Sequence, residues 1–294
     1  MTSKHRAPVA VRGKRIVRHG VLLGAGLALS VAASNGAPTP SPAAPPPVTP
    51  SLPSLAVFRA VGAAPSAPYV GVIGDSTGSQ LVKPLAALLN PRGVGVVSAT
   101  MGGCQASDVD LTYVSPEYYA RHRYCAAGTR LQQDALTARF HPRVVVWADV
   151  MEWSDIKADG RQVKAGSDTW RHLMTDSWDR IAGRLGDAAI VLILPTWWAG
   201  YPTDSPAAFP VGRQRALFRD WAARHQGRVT VVDLAPAICP SGPPCQQIVN
   251  GVQLRFDPVH YTPEGMRRAI AAIMAGAPVL RRLAGPAATS GPAN

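Results

Sequence analysis

Tyr69-Val70-Gly71-Val72-Ile73-Gly74-Asp75-Ser76-Thr77-Gly78 is the stretch that decides the fold. Val70, Val72 and Ile73 favour extended backbone, whereas Gly74 and Gly78 permit angles that β-branched residues resist. The run reads as a buried strand that ends in a sharp turn at Ser76. From Ser79 the spacing becomes helical, with Leu81, Leu85, Leu88 and Leu89 on one face. Strand, turn, serine and helix together hold a hydroxyl at the carboxyl edge of a parallel sheet, where ligands gather in open α/β folds.

A serine hydroxyl is a weak nucleophile until a base takes its proton. The candidate base stands near the other end, in Arg255-Phe256-Asp257-Pro258-Val259-His260-Tyr261-Thr262-Pro263-Glu264-Gly265. Pro258 keeps this segment out of helix, and Thr262 with Pro263 reads as an N-cap followed by the first helical position. Asp257 and His260 are therefore loop residues able to face the sheet edge. Gly74-Asp75-Ser76 alone is equally a helix cap after a strand; the late Asp257-x-x-His260 gives it catalytic meaning. His122, His141, His172 and His225 have no such acidic partner and read as structural or solvent-facing.

Gly74-Asp75-Ser76 near the start of a domain and Asp257-x-x-His260 near its end resemble the SGNH hydrolases, also called the GDSL esterase family. The resemblance is closest to the SGNH domains of bacterial cell-envelope O-acyltransferases. These share the look of Cys239-Pro-Ser-Gly-Pro-Pro-Cys245 followed by Leu254-Arg255-x-Asp257-x-x-His260-Tyr261-Thr262-Pro263-Glu264-Gly265. It implies a three-layer, flavodoxin-like α/β fold around a central five-stranded parallel sheet, in a domain over 68–284.

Periodicity agrees with that class. Nearly continuous apolar runs at 69–73, 94–98, 144–147, 189–194 and 229–234 are expected as strands buried on both faces. Helical stretches at 79–89, 131–140, 168–185, 211–224 and 263–274 separate them. Such alternation gives a parallel sheet with right-handed crossovers.

The amino-terminal 20 residues carry Lys4, Arg6, Arg12, Lys14, Arg15 and Arg18 and no acid, followed by an uncharged apolar run over 21–33. Residues 1–36 thus read as a signal peptide or a signal anchor, with 21–34 the candidate membrane tether. Pro38 blocks cleavage after Ala37, so a cut after Ala33 or Ser34, or none, stays open. Proline-rich 37–54 is an extended spacer within a linker over 37–67, and 285–294 is expected as a disordered tail. Subtracting the six leader cations from the net charge of +12 leaves +6. With no clustered basic face or reading motif, nucleic acid is excluded as the partner. The expected location is secreted or cell envelope.

Four cysteines in an exported chain favour disulfides, and three connectivities are open. Cys239 with Cys245 is the natural local pair across a loop, leaving Cys104 with Cys125. Zinc is the alternative, unsupported by any C-x-x-C or histidine set; no metal or organic cofactor is expected.

The chemistry expected is acyl transfer through Ser76, with His260 as base and Asp257 orienting the imidazole. Water as second reactant gives an esterase; a sugar hydroxyl gives a transferase. The backbone N–H of Ser76 is one oxyanion donor. The resemblance implies a second from Gly102 or Gly103, with Gly103 favoured. It also implies an asparagine donor after the third strand, yet Val146-Trp147-Ala148-Asp149-Val150-Met151-Glu152-Trp153 has none. Asp149 and Glu152 accept rather than donate when ionised, so the oxyanion hole has two backbone donors at most or borrows one from Trp147, Trp153 or Arg255. Trp197, Trp198 and Tyr201 follow the fourth strand and either stack a sugar or acyl group or simply pack. The expected partner is an acylated carbohydrate or lipid, and the expected state a monomer. The rival reading is a non-catalytic glycan-binding or accessory domain working with a separate membrane acyltransferase.

Overall fold

The computed structural model describes residues 53–59, 67–112, 124–200 and 208–284; the expected leader, most of the linker, Tyr201 and the tail lie outside them. In chain order the strands are β1 (Ala56–Phe58), β2 (Tyr69–Gly74), β3 (Gly95–Thr100), β4 (Asp110–Thr112), β5 (Val144–Ala148), β6 (Asp155–Ala158), β7 (Arg161–Val163), β8 (Ala189–Leu194), β9 (Val229–Asp233), β10 (Ile248–Val249) and β11 (Val252–Gln253). The helices are α1 (Ser76–Leu89), α2 (Cys125–Phe140), α3 (Asp168–Arg184), α4 (Ala208–Arg224), α5 (Ala235–Ile238), α6 (Pro263–Gly276) and α7 (Pro278–Ala284).

The main sheet runs β1-β3-β2-β5-β8-β9. β3, β2, β5, β8 and β9 are mutually parallel, in the doubly wound order whose direction reverses at β2. The five expected strands are all present. The sixth corrects the expectation: β1 lies in the stretch read as linker and pairs antiparallel to β3, Ala56 opposite Ser98.

Alternation along the strands sends side chains to two cores. Val70, Val72, Val96, Val144 and Val146 pack under α1, α6 and α7. Tyr69, Ile73, Val97, Val145 and Trp147 face α2, α3 and α4, where Trp147 meets Trp178, Phe218 and Trp221 edge-on at 5.6–6.3 Å. The result is a three-layer α/β sandwich.

Two hairpins were not expected. β6 and β7 join through Asp159-Gly160, and β10 and β11 through Asn250-Gly251, with φ of 50°, 73°, 52° and 76°. Asp-Gly and Asn-Gly are the pairs that a primed two-residue turn demands.

Candidate active site

Three turns meet at the carboxyl edge of the sheet, and each is shaped by its own residues. The first follows β2. Gly74 has φ of +125°, and a Cβ there would fall 1.8 Å from the carbonyl oxygen of Ala148, so only glycine lets β2 pass β5 this closely. Asp75 then caps α1: Oδ1 accepts from Thr77 N–H at 2.8 Å and Thr77 Oγ1 at 2.6 Å. This cap starts α1 at Ser76, three residues before the expected Ser79. At the first helical position the Ser76 N–H has no intrahelical acceptor.

The second turn carries His260 and Asp257. His260 Nε2 lies 2.8 Å from Ser76 Oγ, and His260 Nδ1 lies 2.7 Å from Asp257 Oδ2. Asp257 Oδ1 accepts from Val259 N–H and His260 N–H, both at 2.7 Å. Partial burial works to raise the Asp257 pKa, but these hydrogen bonds and the imidazole outweigh it and hold the carboxyl below its ordinary value. Thr262 caps α6, accepting from Gly265 N–H at 3.2 Å.

Residues to which the sequence assigned no locking role hold this turn in place. Gln80, one helical turn after Ser76, accepts from Tyr261 N–H at 3.1 Å and donates to Tyr261 O at 3.3 Å. The helix bearing the serine thereby grips the segment bearing the histidine. Arg255, 1 % exposed, donates to Pro258 O at 2.7 Å and to Thr196 Oγ1, and its guanidinium stands 5.3 Å from the Tyr261 ring centroid. Phe256 is exposed and stacks on His260, centroids 5.7 Å apart and rings 10° from parallel. The i, i+4 spacing of Ser76 and Gln80 was a usable signal; the fate of Arg255 was not, because burial is invisible in sequence.

The third turn follows β3 and holds Gly103, with φ of +74°. Met101 N–H donates to Gly74 O at 2.9 Å, and Cys104 N–H to Met101 O at 3.0 Å. The cysteines are paired Cys104–Cys125 and Cys239–Cys245, with Cα separations of 5.2 and 5.1 Å.

Asp149 and Glu152 are buried at the exit of β5. Burial raises both pKa values, Glu152 to about 8, and repulsion from Asp75 adds to each, with Glu152 also raising Asp149. Trp197 is half-buried, its ring 4.2 Å from the Arg215 guanidinium and against the Cys239–Cys245 bridge. Trp198 meets Trp153 edge-on at 6.1 Å. Among the described residues no group of three or more His, Cys, Asp or Glu is arranged to hold a metal ion.

A hydroxyl, an imidazole and a carboxylate in this line suit nucleophilic attack on an acyl carbon, the imidazole able to take the hydroxyl proton and the carboxylate to orient the ring. Fold and site define the class of SGNH/GDSL-type carboxylic ester hydrolases and O-acyltransferases. The family model described as SGNH domain (fused to AT3 domains) matches residues 48–275, and the chain belongs to that family.

Among solved structures, the periplasmic domain of the lipopolysaccharide acetyltransferase of Salmonella ser. Paratyphi A is similar at 15 % identity and a TM-score of 0.50, covering 72 % of this chain and 84 % of that one. A lipase/acylhydrolase from Enterococcus faecalis is similar at 15 % identity and a TM-score of 0.43, over 74 % and 96 %. The acetyl xylan esterase AlAXEase is similar at 15 % identity and 0.45, over 71 % and 99 %. No curated protein matches the chain in sequence.

Proposed function

We propose that the protein is an exported serine esterase or O-acyltransferase that moves a short acyl group, acetyl or similar, on a carbohydrate or lipid of the cell envelope. Ser76 is the nucleophile. His260 Nε2 takes the Ser76 proton as Oγ bonds to the ester carbonyl carbon, and Asp257 stabilises the imidazolium. The oxyanion is held by the N–H groups of Ser76 and Gly103, each donor contributing about 10²–10³-fold in rate. Collapse breaks the bond to the leaving alkoxide, which receives the proton from His260 and leaves an acyl-Ser76. Water then returns the serine in hydrolysis; a sugar hydroxyl does so in transfer. Trp197 and Trp198 are the aromatic surfaces available to a sugar or acyl group beside β8.

The observation that carries this reading is the Ser76–His260–Asp257 line at 2.8 and 2.7 Å. The basic start and apolar run of the leader support an extracytoplasmic place, with residues 1–36 a signal peptide or anchor. Among the described residues no helix is long and apolar enough to cross a membrane.

The test is Ser76→Ala with p-nitrophenyl acetate: turnover disappears while the melting curve is kept. Turnover equal to that of the wild type contradicts the reading. A second reading is favoured by the family's description, SGNH domains fused to AT3 domains. Here the domain is an accessory to a separate membrane acyltransferase, and transfer appears only when that partner is present.

A further inference from the structure

Three successive N–H groups after the Cys104 bridge each donate to a side chain from another element. Ala106 N–H donates to Asp149 Oδ2, Ser107 N–H to Glu152 Oε1 at 2.7 Å, and Asp108 N–H to Ser177 Oγ at 3.0 Å. Gln133 Nε2 donates to Ala106 O at 2.8 Å, and Arg180 and Arg184 hold the Asp108 carboxylate at 2.7 and 3.0 Å. A surface loop ordinarily leaves such groups to water.

Asp149 and Glu152 are 1 % and 0 % exposed, and each accepts from N–H groups. Besides Ala106, Asp149 accepts from Met151 N–H at 2.6 Å; besides Ser107, Glu152 accepts from Trp178 Nε1–H at 2.7 Å. Burying two carboxyl groups is costly where, among the described residues, no salt bridge supplies either with a cation, and hydrophobic residues would fill the space more cheaply. The arrangement also reaches the nucleophile. Val150 N–H donates to Asp75 Oδ2 at 3.0 Å, so neighbouring residues 149 and 150 bond the turn after β3 on one side and the turn that presents Ser76 on the other.

We propose that Asp149 and Glu152 are positioning residues that fix the 101–108 turn, and with it the Gly103 N–H, at the distance from Ser76 N–H that a tetrahedral oxyanion requires. This inference rests on the esterase reading above. Asp149 stands where the family resemblance leads one to expect a side-chain donor. Its carboxyl oxygen accepts from the backbone of the oxyanion turn instead, holding the turn that donates. The segment from Asp149 to Glu152 is then a crossbar between the two backbone donors, stiffened from behind by Trp178 and Ser177 on α3.

Glu152→Gln tests this, because the amide keeps the size of the side chain while presenting an NH2 to one of its two N–H partners. A donor displaced by about 1 Å costs on the order of 10²-fold. We expect kcat for p-nitrophenyl acetate to fall about 10- to 100-fold by that argument, with KM within about threefold and the pH midpoint of kcat/KM unmoved. Amide hydrogen exchange over 102–108 should quicken about tenfold. Exchange unchanged over 102–108 overturns the proposal. So does a lowered Tm with kcat per folded molecule equal to that of the wild type, which is what a purely structural residue gives. Should Glu152→Gln not fold, Ser177→Ala loosens the same turn from α3 and is expected to give the same split between kcat and KM; unchanged kcat there overturns the proposal too. A wild-type protein that turns over no ester, with exchange over 102–108 still raised in the variant, counts against the esterase reading and leaves the tether standing.

Discussion

His260 Nε2 lies 2.8 Å from Ser76 Oγ, although 184 positions separate the two residues in the chain. The contact is built twice over. Gln80, on the helix that begins at Ser76, bonds both the N–H and the carbonyl of Tyr261, the neighbour of His260. A histidine on a loop would ordinarily sample many positions; here the backbone beside it is clamped to the helix that begins at Ser76.

Asp257→Asn should uncouple geometry from chemistry. The amide oxygen can keep the two bonds from Val259 and His260 N–H, which puts NH2 against His260 Nδ1. Nδ1 must then accept, so Nε2 carries the proton and cannot take that of Ser76. We expect kcat to drop about 10³- to 10⁴-fold with the melting temperature little changed. A loss under tenfold contradicts the assigned role.

Arg255→Met is expected to separate stability from activity in the same way. Its two acceptors keep other donors: Pro258 O accepts from Ala199 N–H at 2.8 Å, and Thr196 Oγ1 stays with Tyr261 OH at 3.1 Å. Removing a buried guanidinium that feels Asp257 only at a distance, with no salt bridge between them, should therefore shift unfolding free energy by no more than about 1 kcal/mol. Turnover should fall, because Pro258 lies between Asp257 and His260. Urea unfolding beside ester kinetics reads both; wild-type kcat in the variant contradicts it.

Gly74→Ala should be among the most damaging single changes. A methyl group at φ of +125° would sit 1.8 Å from Ala148 O, so β2 and β5 must part. We expect a loss of more than about 3 kcal/mol, or no soluble protein, from combined strain and lost strand pairing. Urea unfolding within 1 kcal/mol of the wild type, taken as about the ordinary surface range, would refute the packing described.

Stability should depend on pH in a sense set by the buried acids. Burial first raises Asp149 and Glu152, Glu152 from 4.5 to about 8, with repulsion from Glu152 and Asp75 adding at Asp149 and repulsion from Asp75 adding at Glu152; burial also raises Asp75. A folded-state pKa above the unfolded one contributes stability in full below the unfolded value and loses it as pH climbs to the folded value. Between 4.5 and about 8 Glu152 therefore weakens the fold, and the raised Asp75 and Asp149 act in the same sense. Asp108, held at about 2 by Arg180, Ser177 and Arg184 against the opposing effect of burial, works the other way and is lost at strongly acid pH. The melting temperature should peak near about pH 5 and decline toward 8, with Glu152→Gln flattening that decline. A melting temperature that rises from pH 5 to 8 is the contrary result.

Much of this architecture was legible in the sequence, where local chemistry was enough. Gly74 and Gly78 around Asp75-Ser76 announced the turn, and Thr262-Pro263 announced the cap of α6 just past His260. The hairpins at Asp159-Gly160 and Asn250-Gly251 carried a readable signal that was passed over, because the flanking strands are only two to four residues long. β1 carried none: three residues in a proline-rich stretch become a strand only because the edge of β3 is open to pair. The roles of Asp149 and Glu152 were half visible. That they accept when ionised was plain from residue type, but the N–H groups of Ala106 and Ser107 that they serve lie 43 and 45 positions away.

The most direct measurement is intact-mass spectrometry with peptide mapping after brief exposure to a fluorophosphonate, which labels a serine only when a base has activated it. The account predicts one adduct, on Ser76, abolished by His260→Ala while the protein stays folded. An unlabelled wild type, or a label on another residue, would contradict it.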